Sequence, residues 1–203
     1  MNHRQRITIL ALLATPFRPY AAEDLNQTFQ QATKLIQPYL ILTDQSSTDP
    51  RSKEGKEELA NAIAMLGRVT KDNPNHWPSY WFIGKAYQAL REHPASYQAF
   101  KQSLTLKPPN LNVAREFIIE AICVGATGEA VVAARQVAEA NPSDSGLLAN
   151  LGLALIADGQ VSQARAATER ALGMAPSDEV TRSLLAEITQ VQAGRPPSKY
   201  CPP

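Results

Sequence analysis

Residues 77–110 read WPSYWFIGKAYQALREHPASYQAFKQSLTLKPPN, which is two runs of helical apolar spacing joined by a short turn. The next two segments, 111–144 and 145–178, have the same length and the same layout. The prolines that mark this period recur at one constant interval, at Pro74, Pro108, Pro142 and Pro176. A period of this kind predicts stacked helical hairpins, because one hairpin cannot bury its own apolar face and three in a row can.

Small residues recur where the two helices of a hairpin are expected to cross. The eighth position of the first unit is Gly84 and its twentieth is Ser96, while the third unit has Gly152 and Ala164 at the same places. Two helix axes approach to about 8 Å only where small side chains face each other. Glycines also end the first helix of the second and third units, where they can adopt the left-handed backbone conformation. The period is therefore structural, with a fixed crossing in each unit.

The first unit also carries a known signature. Its matching residues are Tyr80, Ile83, Gly84, Tyr87, Phe100 and Pro108. The third unit retains Leu151, Gly152, Ala164, Ala171 and Pro176. Residues 77–178 thus resemble the tetratricopeptide repeat family. The resemblance implies an all-α fold, a right-handed α-α superhelical solenoid of hairpins that binds protein or peptide partners in a concave groove and does not catalyse a reaction.

The segment before the repeats, residues 23–76, is expected to form an atypical N-terminal hairpin. Apolar spacing predicts one helix from about Glu23 to Leu42 and a second over residues 55–72. The polar stretch near residues 43–54 is expected to be the loop between them.

The segment after the repeats is expected to close the stack. Ser177 can cap a last helix over residues 179–193, whose outer side is polar, as a terminal helix of a solenoid requires. Residues 194–203 form a Pro-rich tail that is predicted to be extended.

The N-terminal residues 1–22 have the order of a secretory signal peptide. Arg4 and Arg6 precede an apolar run that ends near Ala14, and Ala21 and Ala22 follow. The apolar run is too short to span a bilayer, so we expect an exported periplasmic or extracellular protein with no stable membrane span after signal removal. The alternative is an apolar N-terminal helix on a cytoplasmic protein.

Composition and titratable residues exclude several functions. The 203 residues carry a formal net charge of +1 and no dense Lys/Arg cluster, so nucleic acid is not an expected partner. His76 and His93 fall at a helix boundary and a turn without a Cys, Asp or Glu at helix-face spacing, so we predict no metal, no cofactor and no catalytic residue. Cys123 and Cys201 are expected to be a buried thiol and an exposed thiol, although an exported chain permits a disulfide.

The first helix of each unit is expected to line the concave face, with its second, fifth, ninth, twelfth and thirteenth residues pointing inward. The predicted partner-binding residues are Trp81, Lys85, Gln88, Arg115, Ile119, Ile122, Leu153 and Ile156. Trp81 and Arg115 are the expected anchors, because Trp and Arg are enriched among binding hot spots. The set lacks most of the Lys, Asn and Arg residues with which some family members hold a chaperone's C-terminal carboxylate.

Two functions fit this concave face, and in a third arrangement the face would be closed to any partner. One is an adaptor, scaffold or assembly factor of the bacterial cell envelope that binds an apolar or helical segment of a partner. The other is a cytoplasmic chaperone similar to the three-repeat translocator chaperones of bacterial secretion systems. In the third arrangement, the protein's own C-terminal helix or tail fills the groove. The sequence does not predict the oligomeric state.

Overall fold

A computed structural model describes residues 24–40, 49–108, 110–198 and 200–201 of the chain. Within these residues there are nine α-helices, one short 3-10 turn at Gln37–Tyr39 and no strand. The helices are α1 Leu25–Ile36, α2 Lys53–Asp72, α3 Trp77–Ala89, α4 His93–Leu106, α5 Leu111–Cys123, α6 Thr127–Ala140, α7 Ser145–Ala157, α8 Val161–Met174 and α9 Glu179–Gln192. Consecutive helices pack as the hairpins α1/α2, α3/α4, α5/α6 and α7/α8, with α9 against α8. The protein is an all-α helical-repeat solenoid.

The predicted signal peptide, residues 1–22, lies outside the described residues, as does the first half of the predicted polar loop, residues 43–48. The first helix is shorter than expected, since α1 ends at Ile36 and a 3-10 turn with Pro38 follows. No helix in the described part of the chain is long and apolar enough to cross a membrane.

In the second and third units, the residue before the first helix is a capping residue at the same position of the repeat. The side chains of Asn110 and Asp144 accept hydrogen bonds from the backbone N–H groups of Val113, at 3.2 Å, and Leu147, at 3.1 Å. The cap of α9 is Asp178, which lies one full repeat after Asp144. The expectation that Ser177 caps this helix is therefore wrong by one residue. The cap is the residue directly before the first helical residue, and in α9 that residue is Asp178.

The turn inside each hairpin uses a left-handed residue at the fifteenth position. Gly125 has a φ of 79° and Gly159 a φ of 76°, as the sequence predicts. The first unit has Arg91 there, with a φ of 60°. This conformation is costly for a residue with a Cβ, so the other two units use glycine.

The crossing of the two helices is closest at the glycines of the first and third units. The hydroxyl of Ser96 donates to the carbonyl oxygen of Gly84 at 3.0 Å, which ties α4 to α3 where they cross. A Cβ on Gly84 would lie 2.6 Å from the buried ring of Phe100. A Cβ on Gly152 would collide with the hydroxyl of Thr168. Both glycines are thus required by packing.

The apolar interior has two parts. One lies between α1, α2 and α3 and contains Ile36, Leu59 and Leu66. The larger one runs from α4 to α9 and contains residues such as Phe100 and Leu147. The continuous larger core spans the repeats and reaches α9, which closes it at the C-terminal end.

Replacing Gly84 with alanine is expected to lower the free energy of unfolding by about 1–3 kcal/mol, because the added methyl group displaces the Phe100 ring in a closely packed crossing. The matched control is Gly67→Ala in the exposed middle of α2, where a Cβ meets nothing within 4 Å. That substitution should raise the free energy of unfolding by about 0.5–1 kcal/mol through helix propensity. Urea denaturation followed by circular dichroism measures both. Equal effects of the two substitutions would contradict the close crossing.

Candidate functional site

The groove is defined as the surface between α3 and α5 on the side of Trp81, Lys85 and Ile119. A pocket of about 390 Å³ lies along it, and Lys85, Gln88 and Ile119 are among the residues that line it. A second pocket of about 180 Å³ lies at the start of both helices and is lined by Trp81. The structure thus brings Lys85 and Gln88 of α3 together with Ile119 of α5, whereas Trp81 lines the second pocket.

The N-terminal end of the groove is aromatic. The ring centroids of Trp81 and Phe82 are 4.8 Å apart, and Phe82 continues to Phe29 of α1 at 5.7 Å, both in edge-to-face geometry. The indole Nε1 of Trp81 is buried and has no hydrogen-bond acceptor among the described residues. A buried donor without an acceptor costs about 1–3 kcal/mol of stability.

The centre of the groove is a hydrogen-bonded polar cluster between the first two units. The Lys85 ammonium donates to Gln88 Oε1 at 2.6 Å and to Glu116 Oε1 at 3.0 Å. Gln88 Nε2 in turn donates to Glu116 at 2.9 Å and to Glu120 at 3.1 Å. Because Lys85 is buried and already ion-paired, its charge is matched inside the protein and is not presented to a ligand's carboxylate.

His93 belongs to the same cluster, which the sequence did not predict. Its Nδ1 is 2.9 Å from Glu120 Oε2, and Glu120 is 1% exposed. His93 is the first residue of α4, so the expectation that it lies in the turn is wrong by one residue. Its carboxylate and cysteine neighbours are not at helix-face spacing in the sequence but come from another part of the chain. Glu120 and Cys123 come from the next unit, so no helix-face spacing within the sequence around His93 reveals them.

The side of the groove toward the third unit combines a charge with an exposed apolar side chain. The Arg115 guanidinium donates to Asp144 Oδ2 at 2.7 Å, and Asp144 also caps α7. Ile119 is 38% exposed, which makes it the most exposed hydrophobic residue of the predicted set. Leu153 is half-buried, and Ile122 and Ile156 are buried in the core.

The C-terminal tail folds back over this end. Cys201 forms a disulfide with Cys123, and the two Cα atoms are 5.3 Å apart. The expectation of two separate thiols is therefore wrong, because the tail crosses the third unit and returns to α5. Pro197, Tyr200 and Ile122 are among the residues that line a pocket of about 330 Å³ beneath the tail.

Hydrogen bonds to one glutamate fix the tail on α9. The Tyr200 hydroxyl and the Ser198 backbone N–H both donate to Glu187 Oε1, at 3.0 and 2.9 Å. Burial, and then the hydrogen bond to this carboxylate, raise the pKa of the Tyr200 hydroxyl well above its usual value. Tyr200 therefore remains a hydrogen-bond donor at physiological pH.

Comparisons with known proteins agree with the repeat architecture. Models of the tetratricopeptide repeat match residues 124–188 and residues 78–110. No curated protein matches the chain significantly.

Solved structures with a similar fold include several MamA proteins. A crystal structure of MamA protein is 15% identical with a TM-score of 0.64, over 83% of this chain and 84% of that one. The MamA RS-1 ArsTM double mutant is 16% identical with a TM-score of 0.63, over 81% of this chain and 85% of that one. MamA AMB-1 is 23% identical with a TM-score of 0.60, over 85% of each chain. At these sequence identities, the structural similarity to the MamA proteins is evidence for the fold of this chain alone.

Removing the disulfide by Cys201→Ser is expected to lower the free energy of unfolding by about 2–4 kcal/mol, because the bond closes a loop between residues 78 positions apart. Guanidinium denaturation of oxidised protein measures the change. Tyr200→Phe is the control that keeps the disulfide and removes only the hydroxyl, at a cost of about 1 kcal/mol. Wild-type protein with the same midpoint before and after reduction would contradict a tethered tail.

Proposed function

Because this chain belongs to the tetratricopeptide repeat family, whose members bind protein partners, we propose that its groove binds an apolar or helical segment of another protein. The chain is a protein–protein interaction module, and repeat scaffolds of this family are typically non-catalytic. The proposed role is that of an adaptor, scaffold or assembly factor.

The half-buried indole ring of Trp81, which lines a pocket of the groove, is the observation that carries this proposal. Trp81 lies on the predicted inner face of α3 and lines the 180 Å³ pocket together with Pro78 and Asn112. Trp81 is half-buried, so the exposed part of its ring is available to an apolar side chain of a bound segment. Trp is also the residue type that most often dominates binding energy at interfaces, since it combines a large apolar area with one donor.

Ile119 supports a second contact one helix away. It is exposed beside the 390 Å³ pocket, where an apolar side chain of the partner can cover it. Covering an exposed isoleucine contributes about 25 cal/mol for each Å² of apolar surface removed from water. The two contacts define a segment that presents one apolar side chain to Ile119 and another to the ring of Trp81.

The charges of the groove favour a neutral segment. Lys85 is paired with Glu116 and Arg115 with Asp144, so neither cation is without an anionic partner. A segment with a terminal carboxylate therefore finds no unmatched cation among these two. Arg115 is partly exposed and can add a hydrogen bond at the rim, where charged contacts contribute little to affinity.

We also propose that the protein is exported to the bacterial cell envelope. The basic, apolar and small-residue order of residues 1–22 supports this, as does the Cys123–Cys201 disulfide, because disulfides persist in oxidising compartments. The disulfide weighs against the alternative of a cytoplasmic chaperone.

Trp81→Phe and Ile119→Asp are each expected to weaken partner binding. Trp81→Phe keeps an aromatic ring but removes the pyrrole part of the indole with its apolar area, so a reduction of about 5- to 10-fold in affinity is expected. Ile119→Asp places a charge against apolar surface and should abolish retention on immobilised protein. Val132→Asp is the matched control, since Val132 is 58% exposed on α6, away from the groove.

In a pull-down with the full chain, the protein retained by the wild type and by Val132→Asp should be lost with Ile119→Asp. Circular dichroism confirms that each variant is folded. Loss of the same protein with Val132→Asp and its retention with Ile119→Asp would contradict binding in the groove.

Export predicts that the chain recovered from the cell envelope has lost its first residues. Cell fractionation followed by N-terminal sequencing measures this, and non-reducing electrophoresis of the same sample should show the intrachain disulfide. An intact Met1 in the cytoplasmic fraction, with both cysteines reduced, would contradict the proposed location and leave groove binding to its own test.

A further inference from the structure

Side chains with metal-binding atoms converge at the C-terminal end of the groove. They are His93 at the start of α4, Glu120 and Cys123 on α5, and Cys201 in the tail. We propose that these four side chains bind one Zn²⁺ ion when the Cys123–Cys201 disulfide is reduced. The site shares the 390 Å³ pocket with Ile119 but uses different side chains, and it does not depend on the proposed function.

The distances between the donor atoms already approach those of a zinc site. One ligand atom each of His93, Glu120 and Cys123 lies within 4.8 Å of the other two. The Cys201 sulfur is bonded to that of Cys123, so reduction leaves two thiols at the same place. Zinc bonds of about 2.0–2.3 Å in a tetrahedron put neighbouring donors roughly 3.3–3.8 Å apart, so shifts on the order of 1 Å complete the set.

Secondary structure and outer hydrogen bonds hold these ligands in place. Glu120 and Cys123 are three residues apart on α5 and so lie on the same side of the helix. Oε2 of Glu120 faces His93, while Oε1 accepts from Gln88 Nε2 at 3.1 Å. Gln88 is fixed in turn by Glu116. Hydrogen bonds of this outer kind orient metal ligands and strengthen binding.

The electrostatics also suit a divalent cation that prefers nitrogen and sulfur. His93 Nδ1 and Glu120 Oε2 face each other at 2.9 Å, so a small movement of the two side chains lets both bind one Zn²⁺ ion. The two thiolates and the carboxylate together carry more negative charge than the Zn²⁺ ion neutralises. Lys85 lies next to the pocket, but its charge is already matched by Glu116. Thiolate and imidazole ligands select zinc over magnesium and calcium. The 390 Å³ pocket, which His93, Glu120 and both cysteines line, gives the ion a route from solvent.

Reduction and metal binding are coupled by their chemistry. A dithiol reductant supplies two electrons and two protons, so that the disulfide becomes two thiols and the reductant becomes a disulfide. Zinc then displaces both thiol protons, which pass to solvent, as the ligands bind as thiolates. The oxidised chain lacks two of the four ligands, so the disulfide and the zinc complex exclude each other. Either one fastens the tail to α5.

The test uses the full chain, reduced with a phosphine, desalted without oxygen and titrated with Co²⁺ as a spectroscopic substitute for Zn²⁺. One Co²⁺ per chain is expected, with sulfur-to-cobalt charge-transfer absorption and the intense visible bands of tetrahedral cobalt. Zinc should displace the cobalt completely. The oxidised chain should show neither absorption.

Substitution of each non-sulfur ligand identifies the site. His93→Gln and Glu120→Gln should each weaken Co²⁺ binding more than about tenfold. His76→Gln is the matched control, because His76 lies at the start of α3, at the opposite end of that helix from the proposed zinc ligands. The Co²⁺ affinity of this variant should equal that of the wild type. Circular dichroism shows whether the reduced chain is folded. If reduction lowers the thermal midpoint, Zn²⁺ should restore it in the wild type and fail to do so in His93→Gln.

Two results would overturn the proposal. The first is a reduced chain that shows no sulfur-to-cobalt absorption. The second is a Co²⁺ affinity that is unchanged in both His93→Gln and Glu120→Gln. That result would mean that the two thiols bind the metal without His93 and Glu120.

Discussion

The close crossing of two helices within each hairpin is the constraint on which the rest of the structure depends. In the first unit, the Ser96 hydroxyl bonds the carbonyl oxygen of Gly84, and the ring of Phe100 fills the space that a Cβ would need. With this distance fixed, the next unit stacks in register, and the caps at Asn110, Asp144 and Asp178 follow at intervals of one repeat. The groove exists because the first helices of successive units are held side by side.

The same stacking accounts for the polar cluster. Lys85 and Gln88 of the first unit meet Glu116 and Glu120 of the second, which are separated from them by 28 to 32 residues in sequence. Charged groups at this depth are tolerated because each is paired or hydrogen-bonded. Their mutual contacts divide the groove into an aromatic end at Trp81 and a C-terminal end against which the tethered tail lies.

The sequence predicted the helices and the repeat phase well, because apolar spacing, glycines and prolines act locally and recur at one period. Gly125 and Gly159 adopt the left-handed conformation that their positions predicted. The site was predicted less completely. Ile122 and Ile156 are buried, since the inner face of the later units belongs to the core and to the pocket under the tail. Neither the disulfide nor the His93–Glu120 contact follows from local spacing, because both join residues brought together only by stacking.

One signal in the sequence pointed to the polar cluster. In stacked repeats of equal length, side chains separated by slightly less than one period on first helices become neighbours across the groove. A lysine at the ninth position of one unit and a glutamate at the sixth position of the next meet this condition, as Lys85 and Glu116 do. The tail carries no such periodicity, so its return to Cys123 is known only from the structure.

Photo-crosslinking in cells tests the central claim most directly, which is that a partner lies in the groove between α3 and α5. A photoreactive residue placed at position 119 should form a covalent adduct with the partner, whereas the same residue at position 132 on α6 should not. The adduct at position 119 should be reduced by Trp81→Phe. An adduct that forms at position 132 and is absent at position 119 would contradict the account.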